Sequence, residues 1–288
     1  MGLLPISDSQ KAYIIESVSK DVRCDGREQR ETRDVEITCG VIAQAAGSSR
    51  VRLGGTDVIV AVKAEIGTPE LDAPDRGLCE FSVECSPLAS PAFRGRGGDD
   101  LSAELSSAIE KAYGVGISQK TSDSPIDLAS LCILPGKSCW VLYIDALVLD
   151  LDGSVVDAIA IGCRAALHDT RIPKVEIQKD GDEEDFEIDD DPEQATRVDV
   201  SKVPLSLSVG LIGSSIVLDL TGDEEEASSA VVSVSVNPQG QICGVSKHRG
   251  DGIPATLLMD MVSVANKHVQ ERHKIVSAFL EDHMPMES

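Results

Sequence analysis

The densest chemical signal in the 288-residue chain is the stretch Leu147–Leu167, where an apolar run ends at Asp152-Gly153-Ser154 and a small-residue segment begins at Val155. Ser154 stands where a helix N-cap is expected, so the spacing predicts a strand, a tight turn and a helix. The start of such a helix attracts anions, because its first backbone N–H groups are free and the helix dipole is positive there. Phosphate-using sites usually add an Arg or Lys clamp to that cradle. Here the first turn holds Val155, Val156 and Asp157: two side chains without charge and one that repels phosphate. From these residues alone two readings stay open, an anion site that has been abandoned and an ordinary strand-to-helix connection.

Few other clusters offer chemistry. Asp223, Glu224, Glu225 and Glu226 follow Gly222 at the end of an expected strand, which reads either as a relic metal site or, more simply, as a charged turn. His168, His248, His268, His273 and His283 show no paired spacing with a nucleophile, and His268 and His273 are expected to face solvent on the last helix. The eight cysteines include no Cys-x-x-Cys pair. They are therefore read as buried free thiols, not as zinc ligands or a disulfide framework.

Several elements must position these groups. Ser7-Asp8-Ser9-Gln10 has capping-box spacing and starts a helix running to about Lys20. Strands are expected over Val35–Ala43, Ser49–Leu53, Val58–Ile66 and Cys79–Cys85, with Gly54-Gly55 as a hairpin turn. Asp99 or Asp100 should cap a helix whose apolar face is Leu101, Leu105, Ala108, Ile109 and Ala112, leaving Glu104, Glu110 and Lys111 solvated. A strand at Cys139–Leu149 feeds the Val155 helix, where Ala158, Gly162 and Ala165 allow close packing on a sheet. Further strands are expected at Val203–Leu211, Ser215–Leu220, Ala230–Asn237 and Gln241–Ser246. A final helix from Ile253 to about Leu280 carries Leu257, Met261, Val264, Ala265 and Val269 as its core stripe.

Composition sets the bounds. A hydrophobic fraction of 42% with only 3% aromatics suits sheets covered by small-faced helices. No apolar run approaches the roughly 18–20 residues needed to cross a bilayer. The opening apolar patch is too short for a signal peptide, and Ile6 occupies the place where a myristoylation signal wants Ser or Thr. The formal charge is −23, and removing the ten acids between Asp180 and Glu193 still leaves −13. Phosphate-backbone binding rests on basic groups, so the isolated chain should bind nucleic acid poorly. The acidic stretch itself is expected to be a solvated loop.

Five segments resemble the RNase PH family in order and over nearly the whole chain: Asp21–Ile37, Gly47–Pro69, Phe93–Tyr113, Ser138–Pro173 and Leu218–Lys247. Arg23-Cys24-Asp25-Gly26-Arg27 and Gly95-Arg96-Gly97-Gly98 look most like the eukaryotic exosome branch of that family. The resemblance implies an α/β (α+β) fold of two α/β subdomains with mixed sheets packed against helices. It divides the chain into an N-terminal helix and extension (1–30), a first subdomain (31–173), the acidic loop (174–197) and a second subdomain (198–283).

Active members, the resemblance implies, cleave RNA from its 3′ end with inorganic phosphate, using a Thr-Arg pair, a second Arg and metal-holding acids. In this chain the Thr-Arg pair falls on Val155 and Val156, and the second Arg on Leu101 or a residue beside it. The two aspartates fall on or beside Glu225 and on or just after Val231. The expectation is a chain with no catalytic residue, no metal and no cofactor: a structural subunit of the RNA exosome ring supporting 3′-to-5′ RNA processing and degradation. Expected partners are other RNase PH-like ring subunits, S1/KH cap subunits and single-stranded RNA threaded through the assembled ring, with no membrane. The expected location is nucleus, nucleolus and cytoplasm. An active phosphate-dependent exoribonuclease is the alternative, opposed by the missing Arg and Asp; a free-standing acidic scaffold is another. RNA contact, if direct, would involve Arg94 and Arg96 of the glycine-rich loop and Lys111, which matches a basic position of non-catalytic relatives where Ser107 fills another. Against this stands a plain surface turn in which the two arginines pair with Asp99 and Asp100.

Overall fold

The computed structural model describes residues 6–114, 124–180, 183–189, 191, 194–250 and 252–282; the opening apolar patch (residues 1–5) and His283 lie outside them. Helix α1 (Asp8–Ser19) begins on the expected capping box: the Gln10 N–H donates to Ser7 Oγ and the Ser7 N–H to Gln10 Oε1. Strands β1 (Val35–Cys39), β2 (Gly47–Leu53), β3 (Thr56–Gly67) and β4 (Leu78–Cys85) follow. β1 ends earlier than its apolar pattern suggests, because Gly40 turns left-handed (φ +69°) and the Ile42 N–H is taken by Ser48 Oγ. Gly54 and Gly55 close the β2–β3 hairpin as expected, with Leu53 opposite Thr56 and Gly54 at φ +59°.

A 3-10 turn at Pro91–Phe93 leads into α2 (Asp99–Tyr113). Its N-cap is Gly98, not an aspartate; Asp99 and Asp100 occupy the first turn, where carboxylates answer the positive end of the helix dipole. β5 (Cys132–Leu134) and β6 (Ser138–Asp150) complete a sheet of order β1-β2-β3-β6-β4 with β5 on β6, parallel only between β4 and β6. The chain then enters α3 (Val155–Asp169). A connecting segment carries β7 (Arg171–Ile172), β8 (Val175–Asp180), β9 (Glu183–Ile188) and β10 (Thr196–Arg197). The acidic stretch is thus not simply a loop: β8 and β9 form a hairpin across it. Phe186 and Val175 pack against the core and impose a strand between the acids.

The second half holds β11 (Leu205–Ile212), β12 (Ser215–Leu218), α4 (Gly222–Ala227), β13 (Ala230–Val236), β14 (Ile242–Gly250) and α5 (Ala255–Asp282). Its antiparallel sheet has the order β12-β11-β13-β14. Helices α2 and α3 lie between the two sheets: α2 meets β4 and β14, while α3 meets β2 and β3 on one side and β11 on the other. Every α3 residue from Val156 to Leu167 is therefore buried. Small residues make this possible, since a Cβ on Gly162 would sit 2.6 Å from Val60 Cγ2.

Helix α5 covers β11 and β13 through Met261, Ala265, Val269, Val276 and Leu280. His273 belongs to this stripe and is buried, contrary to expectation, because it lies four residues beyond Val269 on the same helical face. Its Nε2–H donates to the Val236 carbonyl and its Nδ1 accepts from Arg164; burial holds its pKa down to about 4, so the ring is neutral. His268 is half-buried and bonds the Val264 carbonyl. All eight cysteines are free; Cys79, Cys85, Cys139 and Cys163 are buried as expected, whereas Cys24 is exposed. Among the described residues no helix is long and apolar enough to cross a membrane.

Candidate functional site

Strand β6 delivers the chain to the start of α3 through a turn that the second half completes. Gly153 takes φ +72° with Leu220 O so near that a Cβ would meet it at 2.4 Å, which fixes glycine here. Ser154 is the N-cap residue, but its side chain does not cap: at φ +47° its Oγ–H donates to the Leu220 carbonyl instead. Its backbone N–H donates to Glu225 Oε1 at 2.6 Å, and in exchange the Gly222 N–H at the start of α4 donates to Asp152 Oδ1 at 3.0 Å.

Around this turn opens a cavity of about 390 Å³. Its walls include Leu101 and Leu105 of α2, Leu151, Val155 and Val156 at the α3 start, Val231 of β13, and the polar groups Glu104, Ser154, Glu225, His248 and Arg249. The positions singled out in the sequence, Leu101, Val155, Val156, Glu225 and Val231, thus converge on one space although they come from four separate elements.

The polar groups in this space are already engaged. His248 is held between Ser233 Oγ on Nε2 (2.6 Å) and Glu104 Oε1 on Nδ1 (3.1 Å). This resembles a nucleophile–base–acid relay, but Ser233 is buried within β13 and does not line the cavity, so the chain of bonds serves to orient His248. Glu104, expected to be solvated, owes its lowered pKa first to the His248 bond. Arg249 gives both Nη groups to Glu226. Glu225 is half-buried at the cavity wall, and desolvation pushes its carboxyl up to about 7 against the lowering effect of the Ser154 N–H bond.

Neither expectation for the four acids is met. Asp223 to Glu226 are not a turn between strands but lie in the short helix α4, opened by the Thr221–Glu224 capping box. Nor do they form a metal site, since they point to different partners: Glu224 to Arg23, Glu225 to Ser154 and Glu226 to Arg249. Among the described residues no group of three or more His, Cys, Asp or Glu is arranged to hold a metal. Asp157, read as a repellent to phosphate, is buried away from any ligand. It accepts from the Ser208 N–H and Oγ–H, both at 2.8 Å, and pairs with Arg272. Burial raises its pKa to about 6, with Arg272 opposing.

Beside it Asp219, a non-glycine residue at φ +49°, accepts from the Arg33 N–H (2.6 Å) and Arg33 Nη2 (2.7 Å), with Arg27 and Arg272 close by. Burial alone would raise its pKa, but Arg272 and Arg33 carry it below the usual value. This junction was not evident in the sequence; Arg23, Arg27 and Arg33 gave the only hint as closely spaced bases on a segment otherwise read as an entry to the fold.

Arg94 and Arg96 are exposed on the glycine-rich loop, and neither makes an ion pair among the described residues, so the expected partnership with Asp99 and Asp100 does not form. Lys111 is exposed on α2, beside Ser107 and near Lys247 and His248 on a shallow cavity next to the larger one.

Two sheets enclosing a helical pair, with a cleft where α3 begins, define a class that comparison with known proteins identifies. Models of the 3′ exoribonuclease (RNase PH) family match residues 31–173 as domain 1 and 202–268 as domain 2, and the chain belongs to this family. Its similarity extends to particular members. An exosome complex component Rrp42 of Methanopyrus kandleri is 34% identical over 97% of this chain and 100% of its own length. A Dictyostelium discoideum protein whose name includes exosome complex exonuclease RRP42 is 35% identical over 90% of this chain and 93% of its own. Among solved structures, a chain of an Archaeoglobus fulgidus exosome with RNA bound to the active site superposes with a TM-score of 0.78 at 26% identity, covering 93% of this chain and 97% of that one. A chain of an archaeal exosome core has the same fold, with a TM-score of 0.74 at 24% identity.

Proposed function

We propose that the chain is a ring subunit of an RNA exosome that supports 3′-to-5′ RNA processing and degradation, rRNA processing and mRNA decay included, without catalysing phosphorolysis itself. The observation that carries this reading is the convergence of Leu101, Val155, Val156, Glu225 and Val231 on one cavity where aliphatic side chains stand at the places the resemblance gives to the phosphate-binding arginines, and where, among the described residues, no group of acids is arranged to hold a metal. A preorganised donor to the transition state is worth roughly 10²–10³ in rate, and such losses act on one unit, so no remaining group restores the reaction. Valine and leucine supply neither a phosphate clamp nor an oxygen ligand for magnesium.

In finer detail, the chain reads as a counterpart of the ring subunit called exosome component 7. Its neighbours are related RNase PH-like chains under an S1/KH cap, in nucleus, nucleolus and cytoplasm. Arg94, Arg96 and Lys111 are its contribution to an RNA path, supported by their exposure and, among the described residues, by the absence of ion pairs at the two arginines. Purified chain given 3′-tailed RNA, phosphate and magnesium should release no nucleoside diphosphate, while affinity capture should bring down RNase PH-like partners. Phosphorolysis that survives repurification overturns the silent reading, and a chain recovered alone overturns the ring.

A further inference from the structure

At the α3 start the carboxyl group of a residue from the second half is fixed in place. Glu225 reaches across from the second half and accepts the Ser154 N–H at 2.6 Å, the one hydrogen bond of its carboxyl group among the described residues. It cannot easily swing away, because both chain neighbours are pinned: Glu224 takes two donors from the buried Arg23, and Glu226 takes two from Arg249. The backbone on the other side is equally fixed, with Gly222 bonded to Asp152 and Arg33 Nη1 donating to the Asp152 carbonyl. Among the described residues lining the cavity no cation pairs with Glu225, since Arg249 is committed to Glu226 and His248 to Glu104 and Ser233.

We infer that Glu225 is an internal ligand of the α3 start, a tethered carboxylate that keeps the cavity closed to inorganic phosphate even when a cation is restored beside it. The inference rests on the silent reading of the cavity and adds a specificity-determining residue to it. A negative charge held within a few ångströms of an incoming anion repels it, more strongly in a partly enclosed cavity than in bulk water. An arginine introduced at position 156 would itself be drawn to Glu225 and spent on it.

The test is a titration of the full-length chain with inorganic phosphate at pH 8, followed by calorimetry and phosphorus NMR, for wild type, Val156→Arg, Val156→Arg with Glu225→Gln, and Val156→Arg with Glu225→Ala. Glu225→Gln preserves side-chain size and the oxygen facing Ser154, so it retains the fold; Glu225→Ala removes the occupant, and circular dichroism checks both. Wild type should show no saturable binding, and the double variants should bind phosphate at least tenfold more tightly than Val156→Arg. Equal binding by Val156→Arg with and without Glu225, or saturable binding by wild type, overturns the inference. These outcomes read ion binding, whereas failure of the silent reading would show as nucleoside diphosphate released by wild type, so the two are distinguishable.

Discussion

The cavity at the α3 start and the buried junction around Asp219 lie on the same turn of chain and have opposite chemistry. Around the cavity most lining groups are aliphatic, His248 and Arg249 are tied to Glu104 and Glu226, and Glu225 is tied to the Ser154 backbone. At the junction, by contrast, Asp157 and Asp219 are buried with Arg33 and Arg272, although charges are expensive to remove from water. The contrast teaches where this chain concentrates its buried ion pairs: between its two halves, where they fix how the halves meet. A buried ion pair is weak evidence of net stability but strong evidence of a fixed geometry, because removing one partner strands the other.

Breaking the junction should therefore have the largest effect. Asp219→Ala leaves Arg33 and Arg272 without their carboxylate and places alanine at a left-handed φ, and urea unfolding should show a loss of about 3–5 kcal/mol. Gly162→Ala drives a methyl into Val60 between helix and sheet, with an expected loss of about 1–3 kcal/mol in the same measurement. The cavity side of the contrast is sharpened by pH. Glu225 ionises at about 7 in the fold against 4.5 as its reference, so the folded state binds the extra proton. The stability gained from that proton is complete below about 4.5 and lost as pH rises through about 7. Wild type should thus lose about 1–2 kcal/mol relative to Glu225→Gln between pH 5 and 8, and parallel curves would contradict the assignment. Smallest in stability, within about 0.5 kcal/mol, is the double change of Arg94 and Arg96 to alanine. Its expected signature is weaker RNA crosslinking in the assembled ring, and an unchanged crosslink removes those arginines from the RNA path.

The long strands, the Gly54-Gly55 hairpin, α1 with its capping box and the close-packed face of α3 were legible because each rests on local periodicity or on a turn residue. Helix α4 was hidden, since a two-turn helix of acids has no apolar period and is stabilised by Arg23 and Arg249 from elsewhere in the chain. The β8–β9 hairpin was masked by acidic composition, with Phe186 and Ile188 as the only alternating signal. His273 was misplaced because its polarity outweighed its helical position. At the site, resemblance pointed to Leu101, Val155, Val156, Glu225 and Val231, which meet at one cavity. The bonds that hold them there, above all the Glu225–Ser154 bond across 71 residues, depend on tertiary folding and left no mark in local sequence.

The mutual loan between Asp152 and Glu225 bears on how the chain is made. As the nascent polypeptide leaves the ribosome, the amide at Ser154 must wait for an acceptor that is synthesised 71 positions later. The leading half therefore cannot settle its last corner by itself, and the trailing half needs Asp152 to settle its own at Gly222. Severed between the two, the chain should yield fragments with frayed corners in place of two finished modules.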